Sequence, residues 1–255
     1  MAKHTRKWDA TVYRRYIREG RGQGNGAYYK PWITIQDFAS RGMVSRVKGR
    51  TTGRIHHLMS NYETSLFYLL DWSDEVTDIC EQYPLLDLPK AIEISEKAQI
   101  HYPYDPVSGF PYVMTSDFCI TTPNGIETIA VKPSSEIVKP RVQEKLEVER
   151  RYWANQEIKW RVVTEREINQ TKARNIEWLA QANDLGDFGM AVCVQIECTS
   201  FFVTAYPQHV NSLERLLSEI EQEFDLDAGM GLNVYKHLAY HKRIHIDVDS
   251  VIRPY

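Results

Sequence analysis

Residues 112–132 read YVMTSDFCITTPNGIETIAVK, and this stretch decides the fold. Two segments rich in β-branched and aromatic residues, 112–121 and 127–132, flank a Pro-Asn-Gly turn signal and predict a β-hairpin. Asp117 lies within the first strand and Lys132 ends the second, so the hairpin is expected to bring a carboxylate and an ammonium group together. Charges on half-buried strands need partners, so a simple Asp–Lys ion pair is one explanation of both residues.

Periodic segments surround this hairpin. Residues 57–72 place apolar side chains near the period of a helix, with Ser60 or Asn61 as its N-cap. The other predicted elements are a strand at 76–84, a loop with an internal strand at 85–109, an amphipathic helix at 141–157 and a strand at 159–164. The order helix, strand, strand, strand, helix, strand predicts an α/β fold with a mixed central sheet flanked by helices.

The character of the sequence changes after Ile168. We predict one domain at 1–168, which includes a basic N-terminal arm, and a small helix-rich domain at 169–255. Its expected elements are helices at 175–182, 213–224 and 232–238, and a strand pair at 241–251. No run of about eighteen apolar residues predicts a membrane span, and no apolar stretch follows the basic N-terminus to make a secretory signal. We therefore expect a cytoplasmic protein with four reduced cysteines.

Charge is distributed unevenly along the chain. Thirteen basic and three acidic residues give the segment up to Arg54 a charge of +10, which leaves −13 for the rest, since the whole chain carries −3. A basic segment of this kind favours contact with a polyanion. Arg18, Arg21, Lys30 and Arg54, on and around the glycine-rich stretch 18–26, are candidate DNA contacts, and interleaved aromatic residues could stack on bases. The alternative is a solvated basic arm without a partner.

Glu63 adds a second carboxylate to the Asp–Lys pair. It lies near the apolar face of the helix predicted at 57–72, and we expect the fold to bring it close to Asp117 and Lys132. Carboxylates and the main-chain carbonyl of Val131 are oxygen ligands of the type that hard divalent cations prefer. A lysine beside them can orient water or balance charge on phosphorus, and the metal can help to generate hydroxide. This set fits metal-dependent hydrolysis of a phosphodiester.

A helix glutamate, followed by Asp and x-x-Lys across a hairpin, resembles the PD-(D/E)xK nuclease superfamily. Longer segments resemble one family within it, TnsA, the endonuclease subunit of a heteromeric cut-and-paste transposase. These segments are GRGQGNGAYYKPWITIQD, GRIHHLMSNYE, DICEQYPLL, VMTSDF, VKPSSE, EKLEVERRYW and NIEWL. The resemblance implies a restriction-endonuclease-like domain followed by a winged-helix-like domain.

The resemblance also implies a function. TnsA-like proteins cut the 5′ (non-transferred) strand at transposon ends, and Glu63, Asp117 and Lys132 match the family's catalytic set. Glu149 would be an accessory carboxylate, although a solvated helix face also explains it. The implied cofactor is magnesium, with two ions possible and Mn²⁺ as a substitute. The implied partners are double-stranded DNA, a TnsB-like DDE transposase subunit and a TnsC-like ATPase regulator, which the domain at 169–255 would bind.

Two positions need separate interpretation. The family pattern favours Glu or Gln two residues before the lysine, and here that place is Ala130, so one side-chain metal ligand is missing. Gln82 is interpreted as a polar residue at a strand edge, although it could also point toward the site.

Ala130 keeps a second function open, a non-catalytic scaffold that binds DNA and transposase partners. A free-standing restriction or repair nuclease, which would cut without partner proteins, is a third.

Overall fold

The computed structural model describes residues 8–37, 43–210 and 212–252. The chain divides into two compact units, Met1–Ile168 and Asn169–Tyr255. Within the described ranges, none of the helices has both the length and the apolar character needed to cross a bilayer. Four of the thirteen basic residues of the N-terminal segment lie outside the described residues: Lys3, Arg6, Lys7 and Arg41.

The first unit is a mixed α/β structure. Its described residues form six strands: β1 (Ser45–Lys48), β2 (Ile55–Leu58), β3 (Asp78–Pro84), β4 (Thr115–Thr122), β5 (Gly125–Val131) and β6 (Lys159–Val163). They also form five α-helices: α1 (Ala10–Arg18), α2 (Asn61–Trp72), α3 (Leu88–Lys97), α4 (Ser134–Ile137) and α5 (Pro140–Ala154). Strands β3, β4, β5 and β6 make one sheet in that order, antiparallel except for the parallel pair β5–β6, and β1 pairs with β2 separately. The predicted α/β fold with a mixed central sheet is confirmed.

The predicted hairpin joins β4 to β5. Its turn depends on Gly125, whose φ of +112° lies in a region that favours glycine. The β4–β5 ladder ends with the pair Phe118–Ile129. One position beyond this pair, the carboxylate of Asp117 accepts a hydrogen bond from the main-chain N–H of Val131. The two strands therefore separate where the sequence places its candidate charged residues.

The helix predicted at 57–72 begins at Asn61 instead, because the residues before it form β2. The side chain of His56 is fully buried in that strand, and its Nδ1 lies 2.8 Å from the carboxylate of Glu81 in β3. This long-range contact holds the segment extended. Local periodicity could not reveal it.

The loop predicted at 85–109 contains the helix α3, so that prediction is wrong in part. The carboxylate of Asp87 accepts a hydrogen bond from the N–H of Lys90 and caps the helix. Pro89 lies in the first turn, where its missing N–H has no intrahelical partner to lose. The buried side chains repeat at helical spacing: Leu88, Ala91 and Ile94.

Most aromatic residues of the N-terminal segment pack inside the first unit. Tyr16 and Trp32 are buried, and their ring centroids lie 5.4 Å apart. Trp8 packs against both rings. The predicted stacking on bases is therefore wrong for Tyr16 and Trp32. Tyr28, by contrast, is 86% exposed.

A glycine-rich segment, residues 20–32, covers the outer edge of β3 together with Arg54. Three main-chain carbonyls of β3 accept hydrogen bonds from these residues: Ile79 from Arg54, Glu81 from Tyr29 and Gln82 from Trp32. Gly22 makes a close approach, since a Cβ at this position would lie 2.2 Å from Cγ of Pro84. An open strand edge can pair with other chains, so this cover protects β3.

The second unit is helical in its described residues. Its four α-helices are α6 (Gln170–Ala180), α7 (Val192–Ala205), α8 (Leu213–Glu223) and α9 (Met230–Tyr240). The helix-rich prediction is confirmed, although α7 was not predicted. The strand pair predicted at 241–251 is wrong, since residues 241–252 form turns, bends and irregular chain. The described part of this unit accordingly contains no strand that could serve as the wing of a winged-helix fold.

Candidate active site

Asp117 and Lys132 meet where β4 and β5 separate. Nζ of Lys132 lies 2.8 Å from Oδ2 of Asp117 and 2.9 Å from the main-chain oxygen of Val131. Asp117 is buried, whereas the side chain of Lys132 is 36% exposed. Burial acts against the charge of Lys132, but the attraction and hydrogen bond of Asp117 outweigh it and raise the pKa of Lys132. The ammonium group therefore stays charged at neutral pH.

Glu63 lies in the first turn of α2, whose N-cap is Ser60. Ser60 Oγ accepts a hydrogen bond from the main-chain N–H of Glu63 and donates one to Oε1 of the same residue. The N–H of Met59 donates to Oε2 at 2.9 Å. Burial and, next, the negative charge of Asp117 raise the pKa of Glu63 well above its usual range. The two carboxylates thus belong to one electrostatic site, which also includes Lys132.

Glu149 is buried on α5 and joins the same site. Its Oε1 accepts hydrogen bonds from Ser116 Oγ at 2.5 Å and from Trp160 Nε1 at 2.9 Å. Burial is the main reason why the pKa of Glu149 is raised to about 7; the two hydrogen bonds oppose the shift and the charge of Asp117 adds to it. With 5% exposure, Glu149 does not lie on a solvated helix face, so that explanation is wrong. Ser116 directly precedes Asp117, so the network links α5 to the strand that carries the site.

Gln82 belongs to the site, and its interpretation as a polar residue at a strand edge is wrong. It is 5% exposed, its Nε2 donates to Oε2 of Glu63 at 3.3 Å, and its Oε1 accepts from Thr115 Oγ1 at 3.1 Å. The β3–β4 register places it across from Asp117. Its φ is +48°, and a left-handed conformation of this kind costs a residue with a side chain about 1–3 kcal/mol. The one sequence signal was a polar residue beside Glu81 in a predicted strand.

Glu81 precedes Gln82 and ties β2 to the central sheet. Its fully buried carboxylate accepts hydrogen bonds from both terminal nitrogens of Arg54, at 2.8 and 2.5 Å, and lies 2.8 Å from Nδ1 of His56. Burial alone would raise the pKa of Glu81, but the hydrogen bonds of His56 and Arg54 outweigh it and lower the pKa to about 2. The side chain of Arg54 is 9% exposed. It therefore has a structural role in place of the predicted DNA contact.

The other three predicted DNA contacts differ in how accessible they are. Arg21 is 17% exposed and pairs with Glu19 at 2.9 Å and with Asp37 at 2.6 Å, so its charge is engaged within the protein. Arg18 and Lys30 are exposed. The Lys30 ammonium donates to the main-chain oxygen of Glu19 at 3.0 Å. The prediction of phosphate contact stays strongest for Arg18 and Lys30.

The oxygen atoms around Lys132 suit a hard divalent cation. One Asp117 carboxylate oxygen and the main-chain oxygen of Val131 both contact the Lys132 ammonium group. Two oxygen atoms therefore already face one positive charge at this place. Mg²⁺ commonly uses one or two carboxylates and keeps several waters, so Glu63 and Asp117 can suffice although position 130 is a buried alanine. In the described ranges, no three Asp, Glu, His or Cys side chains form a ready-made metal cluster. The donor set therefore fits an ion whose remaining ligands are water and substrate.

Comparison with known sequences identifies one family over most of the chain. The family model described as TnsA-like endonuclease N terminal matches residues 73–165, and TnsA endonuclease C terminal matches residues 167–248. The first match includes Asp117, Lys132 and Glu149 and begins after Glu63. Transposon Tn7 transposition protein TnsA of Escherichia coli is 41% identical over 182 residues, which make up 70% of this chain. The match spans 66% of that protein, just under two thirds of its length.

Proposed function

This chain belongs to the TnsA-like endonuclease family, and from this premise we propose that it is the nuclease subunit of a heteromeric transposase. It hydrolyses the 5′ (non-transferred) strand of DNA at transposon ends and uses a divalent metal ion. One observation carries this proposal. The Lys132 ammonium, the Asp117 carboxylate and the Val131 carbonyl converge where two strands separate, and the buried carboxylate of Glu63 lies within their electrostatic influence.

Each residue has a role that its surroundings support. Asp117 and Glu63 hold the metal, with the main-chain oxygen of Val131 as a further ligand. Magnesium, or Mn²⁺ in its place, would neutralise phosphate charge and lower the pKa of a bound water, and a second ion is possible. Lys132 is charged and partly exposed, so it can orient the attacking water and balance charge on phosphorus. Glu149 acts as an accessory carboxylate.

DNA is held first by its phosphates. Arg18 at the end of α1 and Lys30 in the glycine-rich segment are exposed cations, and phosphate contacts of this kind position a protein on a duplex without reading its sequence. The end sequence would then be read by a partner, a TnsB-like DDE transposase subunit that cuts and joins the other strand.

The second unit is assigned to the other partner, a TnsC-like ATPase regulator. Helix α7 presents apolar side chains to solvent, with Val192 70% and Ile196 64% exposed. These two residues are four positions apart and so lie on one face of the helix. Exposed apolar surface of this kind commonly marks a contact with another protein.

The test is strand-specific cleavage of end-labelled transposon-end DNA in Mg²⁺, with and without the DDE partner. We expect the wild type to nick the 5′ strand only when the partner is present. Lys132→Ala should lose this nicking, while Lys139→Ala, which removes an exposed lysine paired with Glu136, should retain it. Nicking by Lys132→Ala at the wild-type rate would refute the assigned site.

Two other functions predict different results in the same assay. A non-catalytic scaffold, which the buried Ala130 favours because it supplies no side-chain metal ligand, predicts no 5′ nick by either protein while the partner still cuts its own strand. A free-standing restriction or repair nuclease predicts nicking by the wild type without any partner.

A further inference from the structure

Two of the carboxylates in this site come from different parts of the fold. Asp117 lies on β4 of the central sheet, whereas Glu63 lies in the first turn of α2. Two hydrogen bonds to the Glu63 carboxylate come from the start of its own helix, from Ser60 Oγ and from the main-chain N–H of Met59. These bonds orient the carboxylate relative to α2, but they leave its position relative to Asp117 unspecified.

Gln82 supplies the connection to the sheet. Its amide nitrogen donates to Oε2 of Glu63, and its amide oxygen accepts from Oγ1 of Thr115, two residues before Asp117 on β4. A side chain on β3 thus bridges the helix carboxylate to the strand of the other carboxylate. Gln82 is also buried, so water competes little for these hydrogen bonds.

The backbone conformation of Gln82 indicates that the surrounding structure holds the residue in its bridging position. A φ of +48° is unfavourable for a residue with a side chain, and here it occurs inside a strand, across from Asp117. Strained residues of this kind persist where the surrounding structure holds them, and they cluster at functional sites. Trp32 contributes to this restraint, because its main-chain N–H donates a hydrogen bond to the main-chain oxygen of Gln82 at 3.3 Å.

We propose that Gln82 is a positioning residue that sets the spacing of the Glu63 and Asp117 carboxylates for one divalent cation. The inference rests on the proposed metal-dependent function and deepens it. Groups that hydrogen-bond to metal ligands typically change metal affinity by about 10- to 100-fold when they are removed. Gln82 therefore acts through Glu63, and its loss should weaken metal binding before it affects folding.

The variant that separates these effects is Gln82→Asn. Asparagine tolerates the left-handed conformation and keeps an amide, but it is one methylene shorter and cannot reach both Glu63 and Thr115. Gln99→Asn is the matched control, because Gln99 also has a positive φ, +56°, but is exposed after the end of α3. Mn²⁺ binding to the full-length protein, followed by the electron paramagnetic resonance signal of free Mn²⁺, gives a readout that does not depend on cleavage.

We expect Gln82→Asn to weaken Mn²⁺ binding by about tenfold, to raise the Mg²⁺ concentration needed for half-maximal nicking by the same factor, and to leave the melting temperature of the metal-free protein close to that of the wild type. Gln99→Asn should leave Mn²⁺ binding, the Mg²⁺ requirement and the melting temperature close to those of the wild type. Unchanged Mn²⁺ affinity in a folded Gln82→Asn variant would overturn the inference while the proposed function stands. A wild type that binds no Mn²⁺ would overturn both.

A second variant keeps the test decisive if Gln82→Asn does not fold. Thr115→Val removes the hydroxyl that donates to Gln82 Oε1 and preserves the shape of the side chain. It leaves Gln82 in the sequence, so we expect a smaller loss of Mn²⁺ affinity in the same direction. Wild-type affinity in Thr115→Val would then count against the bridge.

Discussion

The guanidinium group of Arg54 donates two hydrogen bonds to the carboxylate of Glu81, and both side chains are almost completely removed from solvent. The pair links Arg54, which directly precedes β2, to β3, which carries Gln82. Strand β2 is followed by the helix that carries Glu63. The pair therefore helps to hold together the elements that carry the candidate site, and its loss should be measurable as a change in stability.

We predict that the Glu81 carboxylate, which is stabilised in its charged form by His56 and Arg54, makes the stability of the protein depend on pH in the acidic range. The pKa of Glu81 falls from an ordinary value of 4.5 to about 2 in the folded protein, which corresponds to roughly 3 kcal/mol of stabilisation. Because the folded pKa is depressed, this contribution is present above about pH 4.5 and is lost as the pH falls through 2. Urea unfolding between pH 7 and pH 2.5 measures it.

Glu81→Gln should remove that part of the pH dependence and lower stability at pH 7 by about 3–5 kcal/mol, because it leaves Arg54 buried without its carboxylate. Glu127→Gln is the matched control, since Glu127 pairs with Arg161 at a partly exposed position. It should cost about 1 kcal/mol or less. An acid stability profile in Glu81→Gln that parallels the wild type would contradict the assignment.

The exposed cations should determine the salt dependence of DNA binding. Replacing Arg18 and Lys30 together by Gln should weaken binding to duplex DNA and reduce the slope of log K against log salt by about 2, because two phosphate contacts are lost. Fluorescence anisotropy over a salt series measures the slope. Arg21→Gln should leave the slope unchanged and lower the melting temperature instead, since it breaks pairs with Glu19 and Asp37. The reverse result would reassign the DNA contact to Arg21.

Gly22 should tolerate a side chain much less than Gly20. Both have a left-handed φ, +71° and +75°, so Gly→Ala should cost about 1–2 kcal/mol at either position. Only at Gly22 would the new methyl group meet Pro84, and overpacking of this kind adds about 1–3 kcal/mol. Urea unfolding of the two alanine variants isolates the second effect. Equal losses would mean that the contact with Pro84 relaxes without cost.

Glu149 should contribute to cleavage and little to stability. Glu149→Gln keeps an oxygen that can accept from Ser116 and Trp160 and removes a buried negative charge. We expect nicking at transposon ends to fall by at least about tenfold, while the melting temperature at pH 8 does not decrease. Glu144→Gln, on the same helix, pairs with Arg141 at the surface and should retain activity. Full activity of Glu149→Gln would leave Glu149 as a packing residue.

The part of the site that follows local pattern was predictable from the sequence. The turn before Gly125 fixed which residues of the hairpin face each other, and so it placed Asp117 near Lys132. Ser60 was one of two candidate N-caps, with Asn61, because both residue types commonly precede the first turn of a helix. These inferences needed only spacing along the chain.

The remainder depended on contacts between distant segments. Gln82 has a left-handed backbone conformation that no local sequence pattern predicts. Its partners Glu63 and Thr115 are 19 and 33 residues away along the chain. The sequence shows that Arg54 is a cation. It does not show that Arg54 is buried against Glu81, because that contact depends on the packing of β2 beside β3. Charge composition therefore overestimated the number of cations available to DNA.

The segment at residues 20–32 carries Lys30 and at the same time covers the edge of β3. A truncated chain that began after this segment would lose both candidate phosphate contacts, Arg18 and Lys30, and would also expose the Glu81 and Gln82 carbonyls along a sheet edge. Such an edge invites intermolecular sheet extension, so the shortened protein should self-associate. A deletion variant could then lose DNA binding either through the missing cations or through aggregation. Single substitutions separate these two causes.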